Sequence, residues 1–486
     1  MRSPTTLSFA AVCLVAAVAL YLPSAVLNLR VGSGITAKLV CSGVFASGRE
    51  AEDVFRQDVD PIAHYIVTYT VDHEHKHVDV VSLPRWLPGG ASLAARAVYT
   101  GSTYGCRLVY DDYPTVPLPA AGQGTADPQE ATATTTSWPQ GDAGASDGVP
   151  AELLARIDAI VQGQLARDPQ TINTRAVVVV HNDRIIGEGY GTGVTSATRL
   201  QGWSMTKSFN NAVVGRLLKL GKLDPAFLDQ PLGSNVPEWA APSDPRGNIT
   251  LNHLLTATSG LEFNEMYGGS NDPATMLFTL PDAAAYAAQK PLAHPIGSVW
   301  SYSSGTSNII SRLVRQAVFK GNDAEYWRFP HDEFFGKIGA NSAIIETDAS
   351  GTFVMSSFSY LTARDWARFG LLYLHKGNWL GEQLLDAAWV DESVQPANNS
   401  GSVYGKQFWL ARNKATADGA NHNWGWHKDV PEDLFRSSGY NEQHVYVIPS
   451  HNLVVVRLGL TPGGSPAWDP AGFLNAIIDA LPASKQ

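Results

Sequence analysis

The sequence predicts an α+β fold: an antiparallel sheet flanked by helices, interrupted by an all-helical region. Behind it lie a small N-terminal α/β unit and an N-terminal hydrophobic segment. Two observations carry this reading. From residue 151 the order is helix, two strands, a long helical stretch, then a strand pair and a closing helix. Before residue 151, a Pro-, Ala-, Gly- and Thr-rich stretch separates that pattern from a strand-rich unit.

Taken in order, Leu7–Leu22 is an apolar run without a charge, with Arg2 before it and Pro23 after. Extended to Leu29 it is long enough to span a bilayer. Residues 1–30 therefore read as a signal sequence or membrane anchor, with small residues at Ser24 and Ala25 suited to cleavage. Residues 31–113 form the small unit. Ile62–Val71, Val78–Leu83 and Ala94–Tyr99 are strand-like. His73, Glu74, His75 and His77 sit in a charged turn and read as solvated rather than as a metal site. Residues 114–150 bury too little apolar surface to order themselves, so they read as a linker or extended strap.

Residues 151–486 form the main domain. Ala151–Ala166 is an amphipathic helix, Thr174–Val180 a buried strand, and Ile185–Tyr190 its hairpin partner across His181–Arg184. Thr250 opens a helix that Gly260 closes. Gln443–Pro449 and Asn452–Leu458 are strands, and Ala471–Ala480 is the last helix.

Composition narrows the function. Hydrophobic residues make up 44% of the 486-residue chain and charged residues 16%, enough for a large core. A net charge of −10 argues against nucleic acid as partner, since that needs a basic face. Cys41 and Cys106 would lie in an oxidising compartment after export. They form either one disulfide or two buried thiols. Val40 makes Cys41 a poor lipoprotein cleavage site.

The chemistry centres on Ser204-Met205-Thr206-Lys207. The apolar spacing of Ala212–Leu218 places Ser204 at a helix start and Lys207 one turn in, so the two share a face. A lysine whose pKa is depressed can take the proton of a serine hydroxyl, and N–H groups at a helix start favour an oxyanion. A Ser-His-Asp reading through His253, His294 or His427 is set aside, because no Gly-x-Ser-x-Gly elbow surrounds Ser204.

Ser204–Lys207, then His253–Leu261, then Trp300–Ser304, then a C-terminal strand pair, resemble the serine β-lactamase and penicillin-binding-protein superfamily, on its class C and esterase side. Gly260–Tyr267 and Ser438–Gln443 look like its aminohexanoate-oligomer hydrolase branch. The resemblance covers about residues 151–486 and implies a β-lactamase-like fold. It implies a serine hydrolase acting on a small ester or amide, with Ser204 as nucleophile and Lys207 and Tyr302 moving the proton. It puts the Ser204 and Tyr440 amides in the oxyanion hole, and Tyr267, Ser304, Gly439 and Gln443 against substrate, with Glu442 near the strand entrance. Ser304 stands where the family carries Asn, for which Asn308 would compensate. Ser437-Ser438-Gly439 replaces the usual basic triplet and disfavours penicillin-like substrates. No metal or organic cofactor is implied. The location implied is the bacterial cell envelope, periplasmic or extracytoplasmic, with inner-membrane anchoring if the N-terminal segment is uncleaved. The alternatives are a penicillin-binding protein, D-Ala carboxypeptidase or β-lactamase, and a catalytically silent envelope binding protein.

Overall fold

The computed structural model describes residues 24–82, 93–119, 135–167, 170–266, 269, 271–411, 430–461 and 468–482. Its first element, α1 (Ser24–Ala46), is long and apolar enough to cross a membrane, yet it is largely buried within the protein. From Val31 onward most of its residues are buried; Ala37, Val40 and Cys41 are fully so. The boundary expected between residues 30 and 31 therefore falls inside a continuous helix. The apolar run Leu7–Leu22, read as a signal sequence or anchor, lies outside the described residues.

The polar residues of α1 have a partner far along the chain. Lys38 Nζ pairs with the Glu346 carboxylate and donates to Ser42 Oγ at 2.9 Å. Ser42 donates to Glu346 at 2.7 Å, as does the Cys106 backbone N–H at 2.6 Å. Burial lowers the Lys38 pKa and raises that of Glu346, each against the pull of the other. A buried pair of this kind is weak evidence for stability, but breaking one partner leaves an uncompensated charge.

After α2 (Ala51–Asp58) and α3 (Ala63–Ile66), four antiparallel strands form a meander: β1 (Val67–Asp72), β2 (His77–Ser82), β3 (Ala94–Tyr99) and β4 (Cys106–Val109). Residues 62–66, expected at the start of a strand, are mostly the helical turn α3. In the β1–β2 turn His75 bonds Asp72 at 2.9 Å and is exposed. Cys41 and Cys106 are disulfide-bonded, joining α1 to β4 across 65 residues of sequence. The loss of this link in Cys41→Ser should lower the unfolding free energy by about 2–5 kcal/mol. Denaturant midpoints of the two proteins, at equal m-value, measure it.

Of the stretch expected to be a linker, residues 135–149 are laid down as a strap. Trp138 is buried and donates to the Asp183 carbonyl, while Arg368 reaches the carbonyls of Pro139 and Gly141.

The main sheet has six antiparallel strands. From one edge they are Trp409–Leu410, β7 (Phe435–Gly439), β8 (Gln443–Ile448), β9 (Leu453–Leu460), β5 (Asn173–His181) and β6 (Arg184–Tyr190). The valine run of β5 is buried on both faces. Val177 and Val179 join Leu453 and Val455 under α4 (Ala151–Leu165) and the last helix (Pro470–Ala480). Val178 and Val180 join Val454 and Val456 in the larger core on the opposite face. This period-two division is what a central antiparallel strand requires. Helix α5 (Lys207–Lys219), helix α6 (Leu251–Leu255) and helix α7 (Ser304–Leu313) belong to the helical region, and α8 (Ala363–Leu374) packs beneath β5, β8 and β9. Thr250 caps α6 together with His253, but the helix ends at Thr256, well short of Gly260. The last helix is numbered α9.

Candidate active site

Ser204 is presented by a strained turn. Gly202 donates to the Ser359 carbonyl at 2.9 Å, which fixes the chain entering the turn. Trp203 follows with φ +49°, a conformation that costs a bulky residue energy and collects at functional sites. Its buried ring meets Tyr440 edge-on at 5.5 Å. Trp203–Thr206 is a single 3-10 turn, and α5 begins at Lys207. The three-residue spacing of Ser204 and Lys207 still aligns them, because 3-10 geometry superposes i and i+3.

Lys207 is fully buried and donates to three oxygens: Ser204 Oγ at 2.9 Å, Ser304 Oγ at 3.0 Å and the Ser356 carbonyl at 3.0 Å. Its Nζ also lies 4.8 Å from the centroid of the Tyr302 ring. Burial lowers its pKa to about 8, while the charge of Glu265 acts in the opposite direction. The result is an amine that loses its proton at about pH 8, set against the Ser204 hydroxyl. Tyr302 packs against Trp409 and Tyr404, at centroid distances of 5.1 and 5.8 Å. Ser204, Lys207 and Tyr302 thus come together.

Other expected contacts lie elsewhere. Ser304, anticipated against substrate, is buried between Lys207 and Glu265. Asn308 supports the turn behind the lysine by accepting from the Ser356 N–H at 3.2 Å. Gly439 is needed by the protein itself: a Cβ there would stand 2.2 Å from the Gly202 carbonyl oxygen. That close approach brings Tyr440 beside the nucleophile turn. Gln443 is buried, with its amide donating to the carbonyls of Tyr440, Asn441 and Gly459 and accepting from the Gly459 N–H. These bonds brace the hairpin. Glu442 bonds His444 at 2.7 Å; burial opposes its ionisation, but His444, Arg436 and Arg457 hold its pKa down at about 2. Ser437 donates to Ser208 at 2.8 Å on α5. Tyr267 and His427 lie outside the described residues.

Two site residues were not anticipated. Ser356 acts through its backbone carbonyl, which no side-chain pattern reports. Glu265 stood in view in Gly260–Tyr267, and its carboxylate receives both the N–H of Ser304 at 2.7 Å and its hydroxyl at 2.5 Å.

The Beta-lactamase family model matches residues 157–472. With a Ser-x-x-Lys pair at the start of a helix beside an antiparallel sheet, the chain belongs to the Beta-lactamase family and is a serine hydrolase. The 6-aminohexanoate-dimer hydrolase of Paenarthrobacter ureafaciens is 24% identical over 330 residues, 64% of this chain and 80% of that protein. Esterase EstB of Burkholderia gladioli is 29% identical over 188 residues, 35% of this chain and 46% of that protein. The crystal structure of a family VIII carboxylesterase superposes with a TM-score of 0.51 at 15% identity, covering 69% of this chain and 99% of that one. That likeness concerns the fold.

Proposed function

We propose that the protein hydrolyses a small ester or amide through an acyl-enzyme on Ser204. Lys207, as the free amine, takes the Ser204 proton while Oγ attacks the carbonyl carbon. The tetrahedral oxyanion rests on the N–H groups of Ser204 and Tyr440. Lys207 and the Tyr302 phenol then return the proton to the leaving oxygen or nitrogen, and water cleaves the acyl-enzyme by the same steps. These steps call only on the chain's own side chains. The observation that carries the reading is the 2.9 Å contact of a buried, pKa-depressed Lys207 with Ser204 Oγ.

Substrate preference follows from what lines the approach. The Tyr302 ring faces Lys207 and packs on Trp409, and Trp203, next to Ser204 in sequence, meets Tyr440. Ser437 offers no cation where β-lactam enzymes hold a carboxylate, so uncharged acyl groups are favoured. The apolar N-terminus and the disulfide fit an exported or membrane-anchored protein. The test is a panel of p-nitrophenyl esters, short amides and nitrocefin, together with fluorophosphonate labelling and mass mapping. Ester turnover with a label on Ser204 is expected. Turnover without that label would refute the mechanism, and preference for nitrocefin would favour the β-lactamase alternative.

Gly439→Ala should push β7 away from Gly202 and carry the Tyr440 N–H with it. A fall in kcat of roughly 10–100-fold is expected, with about 1–3 kcal/mol lost in stability. Steady-state kinetics at a temperature where the variant is folded separates the two effects.

A further inference from the structure

Glu265 sits in an irregular loop, yet its carboxylate is tightly located. Phe263 packs against Gly305 of α7, where an added Cβ would come within 2.8 Å of its ring. The Asn264 N–H donates to Asp272 at 2.7 Å. Between these anchors both oxygens of Glu265 are engaged by Ser304, one by its backbone N–H and one by its hydroxyl. Burial raises the Glu265 pKa, while Lys207 and the two Ser304 donors act to lower it. In its ionised form the carboxylate only accepts, so the single Ser304 hydroxyl proton points at Glu265. Towards Lys207, Ser304 Oγ is then available only as an acceptor.

The Ser356 carbonyl is likewise an acceptor only. A neutral Lys207 has two N–H bonds and one lone pair. With Ser304 Oγ and the Ser356 carbonyl each taking one N–H, the lone pair has a single remaining direction, the one now occupied by Ser204 Oγ. We propose that Glu265 is a positioning residue that aims the Lys207 amine at the nucleophile, acting through the Ser304 hydroxyl. This deepens the acyl-enzyme reading above and rests on it.

Without the carboxylate, Ser304 can rotate and donate to the amine, turning the lone pair away from Ser204. The charge of Glu265 also favours the ammonium form of Lys207, so its removal carries a pH signature. The groups facing Glu265 are Lys207, Asp272 and Tyr404, with Asp272 itself held by Lys290 and Tyr286.

The experiment compares the full-length protein with Glu265→Gln, Glu265→Asp and Ser304→Ala, reading kcat/KM for a p-nitrophenyl ester against pH and the rate of fluorophosphonate labelling. For Glu265→Gln the acidic limb should move about 0.5–1 pH unit lower and the plateau should fall roughly 10–100-fold. Glu265→Asp should restore the limb towards its original position. Ser304→Ala should lower the plateau similarly, and it carries the test if Glu265→Gln does not fold. A limb that stays in place in Glu265→Gln, or a full plateau in Ser304→Ala, would overturn the proposal while leaving the acyl-enzyme reading intact. Failure of the unsubstituted protein to label at Ser204 would overturn both.

Discussion

Ser204→Ala should remove ester turnover by roughly 10⁴–10⁶-fold, with the fold and the unfolding midpoint almost unchanged. The size follows from the role proposed for the group: without Oγ no acyl-enzyme can form, and the remaining rate is that of water attacking a carbonyl held near oxyanion donors. The structural cost is small because the hydroxyl is on a partly exposed turn and its hydrogen bond comes from Lys207. Trp203 keeps its left-handed conformation and buried ring, so the turn itself should persist. The kinetic assay must be paired with labelling, since a contaminating esterase can imitate residual activity. Retention of full turnover by a homogeneous Ser204→Ala protein would exclude Ser204 as nucleophile.

The elements that sequence periodicity reports were legible. Val177–Val180 read as a buried strand because both faces of β5 are covered, and the pairing of β8 with β9 followed from two short apolar runs across a turn. Ser204 and Lys207 were legible because their interaction is local. What escaped acts over distance or through backbone. Glu265 meets Ser304 across 39 residues and Ser356 meets Lys207 across 149, with no spacing rule to connect them. Ser304, Gly439 and Gln443 were legible as residues of this locality, but their protein contacts were not. A small polar side chain, a glycine and an amide each serve a protein contact as readily as a ligand contact. The N-terminal helix shows the same ambiguity, although Lys38 and Ser42, one turn apart within it, mark the side that meets Glu346.

Lys207→Ala should slow acylation by roughly 10³–10⁴-fold and also change the shape of the pH profile. In the proposed mechanism the free amine is the active form, and burial lowers its pKa to about 8. kcat/KM should therefore rise tenfold per pH unit below that value and level off above it. The variant has no such group, so this limb should vanish from whatever rate remains. Stability supplies an independent check with its own sign. Burial holds the folded-state pKa of Lys207 below its ordinary value of 10.5, so between about 8 and 10.5 the unfolded chain binds the extra proton. Stability from this site should then increase as pH rises through that window, and Lys207→Ala should flatten the increase. Chemical denaturation at pH 7.5, 9 and 10.5 measures it in both proteins. A kinetic limb near pH 8 that survives in Lys207→Ala would assign the base to another group, whatever the loss in rate.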